Sequence, residues 1–298
     1  MSKHQRIQSN LSLLGASIVW GFAFVAQRQG MQFIGPLTFN GIRFLLGALT
    51  LVPVFFFLKP GLTSGEIWKP MLITGLIAGP VLMIASTFQQ LGMMYTSAGN
   101  AGFITSLYII FVPVFGFLRR QPSPLSVWIG ASIAFIGLYL LSVDSNFRME
   151  TGDLLVFISA IFWAMHLIVL SYLSPRFDFR ILAFGQFLFT GIISLVLALF
   201  FEQPQFSAVH SAFYPIMYAG IVSAGLGFTL QVLGQKHARA DHAALILSLE
   251  AVVAAFGGWL MLNEQLSGRE LAGCLLMLLG VLASQWKLML ESWRKAHI

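Results

Sequence analysis

The chain holds a single cysteine in 298 residues, Cys274, and 9% charged side chains. One thiol excludes a disulfide framework and a thiolate metal site, and its place inside an apolar run marks it as buried and inert. With 57% hydrophobic residues and a mean hydropathy of +0.83, the chain lacks the polar surface needed to wrap a soluble domain of this length. GxxxxGK[ST], HExxH and GxSxG are all missing, which excludes a built-in ATP engine and the common hydrolase sites. The net charge of +6 comes from basic residues dispersed singly or in pairs at the ends of apolar segments. That pattern suits a lipid bilayer better than a nucleic-acid surface.

What is present is a duplication. Trp20-Gly21 recurs as Trp163-Ala164 and Phe44 as Phe187, both at a spacing of 143. Gln89-Gln90-Leu91-Gly92 returns as Gln231-Val232-Leu233-Gly234 at 142, and Gly130 and Gly137 match Gly273 and Gly280 at 143.

A helix needs about 20 apolar residues to cross about 30 Å of hydrocarbon, because lipid offers no partner to exposed backbone groups. Ten stretches qualify, at 11–29, 35–58, 67–94, 98–118, 125–142, 153–172, 179–201, 213–235, 242–262 and 270–290. Turn and charge signals separate them, among them Lys59-Pro60-Gly61, Arg119-Arg120-Gln121-Pro122, Ser174-Pro175-Arg176 and Glu202-Gln203-Pro204. The expected fold is an all-α membrane protein with five spans at 11–143 and five at 152–288, the segment from Asp144 to Gly152 forming the seam. The first stretch follows Lys3 and Arg6 as a signal peptide would, but its length, Trp20 and Gln27 make it a retained span.

If the N-terminus is cytoplasmic, 13 of the 17 Lys and Arg fall inside, Arg28, Arg148 and Arg269 fall outside, and Arg43 lies within a helix. The positive-inside rule therefore puts both termini in the cytoplasm, the location being the inner or plasma membrane. Five spans per copy turn the second copy upside down relative to the first, the inverted-repeat layout in which two halves rock about a midplane site.

Residues 107–141 and 249–283 resemble the second part of two EamA domains, the repeat of the drug/metabolite transporter superfamily. The most specific pieces are Asn263-Glu264-Gln265-Leu266 with the glycine-rich helix after it, Asn40-Gly41-Ile42-Arg43-Phe44, and Trp20-Gly21. The likeness spans about residues 11 to 288. It implies a ten-span carrier of metabolites, amino acids, nucleotide derivatives or drugs, frequently an exporter. Two departures stand out: Arg119-Arg120-Gln121-Pro122 occupies the place of the acidic Glu264, and Ala255 that of Pro113.

An ionisable group at membrane depth costs roughly 2.5 to 3.5 kcal/mol, so it faces a cavity or a partner. Arg43 and Glu250 are the two strong cases. Glu250 is either a cavity carboxylate, able to carry a proton or meet a cationic solute group, or a brace between helices. Arg43 either braces helix ends or meets Glu250 or a solute carboxylate. His166 lies one turn beyond Trp163 and has its own two readings, cavity wall or donor to a backbone carbonyl. Trp20 and Trp163 occupy equivalent mid-span positions, as a two-fold arrangement of aromatic cavity walls requires. Gln89, Tyr95, Asn100, Tyr108, Gln186 and Gln231, with Gln90 and Gln235, complete the polar set that recognises a small solute by hydrogen bonds or joins helices.

No residue near His166 has metal-ligand spacing, so no metal or cofactor is expected. The polar residues at depth are too few and scattered for an intramembrane enzyme. Small-residue spacings such as Gly75–Gly79 and Gly130–Ala134 permit close helix packing and equally a homodimer contact. The resulting expectation is a secondary transporter that exports a small amino acid-like, aromatic or drug-like solute by alternating access with proton coupling at Glu250, an uncoupled facilitator being the alternative.

Overall fold

The computed structural model describes residues 3–57, 64–142, 151–262 and 267–296. Lys59-Pro60-Gly61, Arg148, the run Asp144-Ser145-Asn146 and the motif Asn263-Glu264-Gln265-Leu266 lie outside the described residues. The rest is helical. In chain order the elements are α1 (Lys3–Gly30), α2 (Pro36–Phe57), α3 (Ser64–Met93), α4 (Ala98–Ser106), α5 (Tyr108–Leu118), α6 (Leu125–Ser142), α7 (Thr151–Leu173) and α8 (Phe179–Phe201). There follow α9 (Phe206–Ser211), α10 (Phe213–Met217), a π-helical segment (Tyr218–Phe228), α11 (Thr229–Gln235), α12 (Ala240–Leu247), α13 (Glu250–Leu262) and α14 (Gly268–Ala296).

Boundaries follow local chemistry. Pro36, whose fixed φ and missing N–H suit a first turn, opens α2. Ser97 caps α4 by accepting from the Asn100 N–H, and Asp178 caps α8 by accepting from the Arg180 N–H. After α8 the chain turns through Gln203 at a φ of 49° into Pro204, which cannot continue a helix.

Among the described residues, eight segments are long and apolar enough to span a membrane, two short of the ten expected. The apolar helix of α6, Leu125–Leu140, falls below that length; all 18 residues of α6 rise about 27 Å, just under a hydrocarbon core of about 30 Å. Its partner is the 29-residue α14, against which it packs along its length. The glycines that marked the repeat explain how closely. A Cβ on Gly130 would stand 2.6 Å from the Gly280 carbonyl, one on Gly280 2.6 Å from the Gly130 carbonyl, and one on Gly137 2.6 Å from the Gly273 carbonyl. Only hydrogen fits at such a crossing.

Three of the expected spans are not single helices. The fourth breaks at Leu107 between α4 and α5, and the ninth breaks at Ser248 and Leu249 between α12 and α13. Leu107 and Leu249 are 142 residues apart, so the two breaks fall at equivalent places in the copies. The eighth passes through a π turn that carries Gly220, Gly225 and Gly227.

The principal packing joins first-half to second-half helices. α3 lies on α7 and α8, and α2 on α8 and the π segment. α1 lies on α13, the π segment and α11. Phe44 and Phe187, the equivalent phenylalanines of α2 and α8, stack at 6.0 Å, both fully buried. Equivalent residues that touch must lie beside a common pseudo-two-fold axis, and several of the candidate residues gather around it.

Candidate functional site

Near that axis the helices leave a narrow cavity with about 460 Å³ of atom-free space. Its walls are aromatic: Trp20, Phe24, Trp163 and Phe228. Phe228 sits between the two tryptophans, 4.7 Å from Trp20 and 5.9 Å from Trp163, and 5.8 Å from both Phe44 and Phe187.

Two charge-bearing groups line the cavity. Arg43 is 3% exposed; its guanidinium lies 4.6 Å from the ring centre of Phe44 and donates from Nη1 to Gln27 Oε1 at 2.7 Å. Gln89 Nε2 donates to the same oxygen at 3.2 Å, and Trp163 Nε1 donates to Gln89 Oε1 at 2.6 Å. Arg43, Gln27, Gln89 and Trp163 thus form one hydrogen-bonded string across α1, α2, α3 and α7. The Arg43 Nε has no partner.

Glu250 is the first residue of α13, at the break in the span and at the positive end of that helix's dipole. Its Oε1 accepts from Tyr108 Oη at 3.0 Å. Tyr108 is likewise the first residue of α5, across the equivalent break. Arg180–Asp178 and Arg239–Asp241 are ion pairs, and neither involves Arg43 or Glu250.

One helical turn further along the same helices lies a wider recess with about 1010 Å³ of atom-free space, with Val112, Ser171 and Gln235 in its lining. Its rim carries Arg119, Arg176, Lys236 and Arg239. At the opposite end of the bundle, Arg28 Nη1 donates to the Met93 carbonyl at 2.8 Å, Thr96 Oγ1 donates to Asp153 at 2.6 Å, and the Glu202 carboxylate receives Leu37 N, Thr38 N and Thr38 Oγ1, each at 2.7 Å.

The model of the EamA-like transporter family matches residues 8–143 and again 150–285. The chain belongs to the EamA-like transporter family. Similar proteins include an uncharacterized transporter of Archaeoglobus fulgidus, 30% identical over 93% of this chain and 86% of its own. Another is the uncharacterized transporter YoaV of Bacillus subtilis, 25% identical over 91% and 94%. A crystal structure of another protein superposes over 93% of this chain and 98% of its own with a TM-score of 0.75, at 17% identity, a likeness of fold.

Within this EamA-like chain, Trp20, Arg43, Gln89, Tyr108, Trp163, Gln231 and Glu250 line the cavity together. His166 and Gln186 stand behind its wall. Both are fully buried, His166 Nε2 and Gln186 Oε1 are 2.9 Å apart, and the imidazole lies edge-on to Trp163 at 5.8 Å. Two further candidates lie outside the cavity lining. Tyr95, expected in the third span, lies beyond the end of α3 in the turn to α4 and is 57% exposed, because the chain must reverse between Met93 and the Ser97 cap. Asn100 sits half-buried in the first turn of α4, outside the cavity wall, and its N–H goes to Ser97.

Phe24, Gln27, Thr105, Leu167, Ser223, Phe228 and Leu247 also line the cavity and were not singled out by sequence. A signal existed for three of them. Phe24 and Gln27 follow Trp20 at i+4 and i+7, and Leu167 follows Trp163 at i+4, each on one helix face. Ser223 and Phe228 had none, because the π turn shifts the helical register there.

Proposed function

We propose that this transporter exports a small zwitterionic, aromatic solute by alternating access. In this reading ten spans form two inverted five-helix repeats at 11–143 and 152–288, with both termini cytoplasmic. The observation that carries it is the placement of Arg43 and Glu250 in one aromatic-walled cavity, each tied to neutral partners and neither to the other. A buried charge without a counter-ion is costly, so such a pair is suited to a solute that brings both. A carboxylate meets Arg43, a cationic group meets Glu250, and the rings pack on Trp20, Trp163 and Phe228.

The direction follows from the recess. Its basic rim belongs to the end that the positive-inside rule gives to the cytoplasm, so solute enters from there, while Arg28, Asp153 and Glu202 hold the other end shut. Coupling follows from Glu250, which exchanges a proton as the cavity changes sides. Glu250 stands where a broken span meets the other copy near the bundle centre, the kind of place in which secondary carriers hold substrate and coupling ion.

The test is transport by purified protein in proteoliposomes with an imposed proton gradient. Gradient-driven flux that persists in full after Glu250→Gln overturns the coupling, and flux indifferent to the gradient in the unaltered chain makes it a facilitator. Arg43→Met is expected to weaken binding of carboxylate-bearing solutes more than tenfold and leave decarboxylated analogues unaffected. Cysteine labelling that placed residues 144–152 in the cytoplasm would overturn the inverted arrangement.

A further inference from the structure

The two copies treat their tryptophans differently. In the first pairing, Trp163 Nε1 donates to Gln89 Oε1 at 2.6 Å, and both polar groups are satisfied. The repeat spacing makes Trp20 the counterpart of Trp163 and Gln231 the counterpart of Gln89, so the matching bond would be Trp20 to Gln231. It is not made. Trp20 Nε1 donates instead to the Ser223 carbonyl at 3.2 Å, within the π segment. Gln231 is 1% exposed, lines the cavity, and its Oε1 has no hydrogen-bond partner.

The difference is written in the chain. A Cβ on Gly227 would lie 2.5 Å from Trp20 Nε1, so the missing side chain is what lets the indole sit against the π segment. In the register that aligns Gln89 with Gln231, the first copy has Ala85 in that place. Ala85 carries the Cβ that Gly227 lacks, and Trp163 reaches its glutamine. Gly227 therefore lets Trp20 bond to the π segment in place of Gln231, whose buried amide oxygen is left unpartnered on a side chain that lines the cavity. A buried acceptor without a partner is most stable when a donor can reach it.

We propose that Gln231 is a specificity-determining residue that accepts a hydrogen bond from a donor-bearing head of the solute, an ammonium or a hydroxyl. Gln89, already occupied by Trp163, does not read the solute in this way. The inference rests on the transport reading above and deepens it. Arg43 selects the acceptor end of the solute, and Gln231 with Glu250 reads the donor end.

The experiment measures binding by thermal shift and by counterflow in proteoliposomes, with four probes: phenylalanine, 3-phenyllactate, 3-phenylpropionate and phenethylamine. The first two carry a donor beside the carboxylate, ammonium or hydroxyl, and phenylpropionate carries none. The unaltered chain is expected to bind phenylalanine and phenyllactate at least tenfold more tightly than phenylpropionate. Gln231→Met is expected to bring the three within about threefold by weakening the first two alone.

Gly227→Ala supplies the independent variant. Its Cβ displaces Trp20 toward Gln231, re-creates the bond of the first copy, and is expected to erase the donor preference while Gln231 itself is intact. A donor preference unchanged in Gln231→Met, or in a folded Gly227→Ala protein, overturns the inference and leaves the transport reading standing. If the unaltered chain binds none of the four, the zwitterionic solute class falls and this inference falls with it.

Discussion

Tyr108 and Glu250, 142 residues apart in the chain, are bonded to each other at 3.0 Å although each is the other's counterpart in the repeat. Their neighbours repeat the contact: Ser106 Oγ donates to the Ser248 carbonyl at 3.4 Å. Two broken helices cross at their breaks, and a phenol on one side faces a carboxylate on the other. The pseudo-symmetric position is therefore chemically asymmetric, which gives one copy the ionisable group and the other its donor.

Tyr108→Phe leaves Glu250 buried with its partner removed. The expected result is a loss of about 1–3 kcal/mol in stability, read by thermal unfolding in detergent. Glu250→Gln keeps an acceptor for Tyr108 and is expected to cost less. Equal losses from the two substitutions would show that the bond itself contributes little.

Gly130→Leu or Gly280→Leu forces apart α6 and α14, whose backbones meet where a Cβ would stand 2.6 Å from a carbonyl. Overpacking of this kind costs about 1–3 kcal/mol, and the two changes together are expected to cost less than their sum because the first already separates the helices. Thermal unfolding of the single and double variants measures it.

Glu202, just past the end of α8, receives two N–H groups and one hydroxyl at the start of α2. Glu202→Ala removes that cap and is expected to cost about 1–2 kcal/mol. Cysteines placed beside Gly35 are expected to label faster in this variant, since the end it holds loosens.

Asp178 lies before its span, and its titration is sensitive to Arg180. Burial pushes its carboxyl up, but hydrogen bonds from the Arg180 side chain and backbone, with the charges of Arg180 and Lys236, hold it below the ordinary 3.8. A folded pKa lower than the unfolded one stabilises the fold above the unfolded value and loses that contribution as pH falls through the folded value. Asp178→Asn is expected to lower the melting temperature at pH 7 and to converge with the unaltered chain below about pH 3.8. Curves that stayed parallel as the pH fell well below that value would assign the loss to the helix cap alone.

Much of the site was legible because duplication singles out residues that composition alone cannot. Trp20 with Trp163 and Gln89 with Gln231 stood out by spacing, and Arg43 and Glu250 by the cost of charge at depth; all six meet in one cavity. His166 fell just behind the wall, since a residue three along from Trp163 points about 60° away from it around a helix of 100° per residue. Tyr95 fell outside because a span read as running to 94 ends at Met93, and the next residues turn.

Composition determined that the chain belongs in lipid, since 57% hydrophobic residues leave no other solvent for it, and the recurring motifs determined that it is built from two copies. Tertiary structure alone decided where spans break at Leu107 and Leu249, where a helix widens into a π turn, and which glutamine is left without a partner. Those features arise when one copy packs against the other: a Cβ on Gly227 would lie 2.5 Å from Trp20 Nε1, so the indole sits where only glycine leaves room. No periodicity within one copy carries that information, because it is a property of the contact between them.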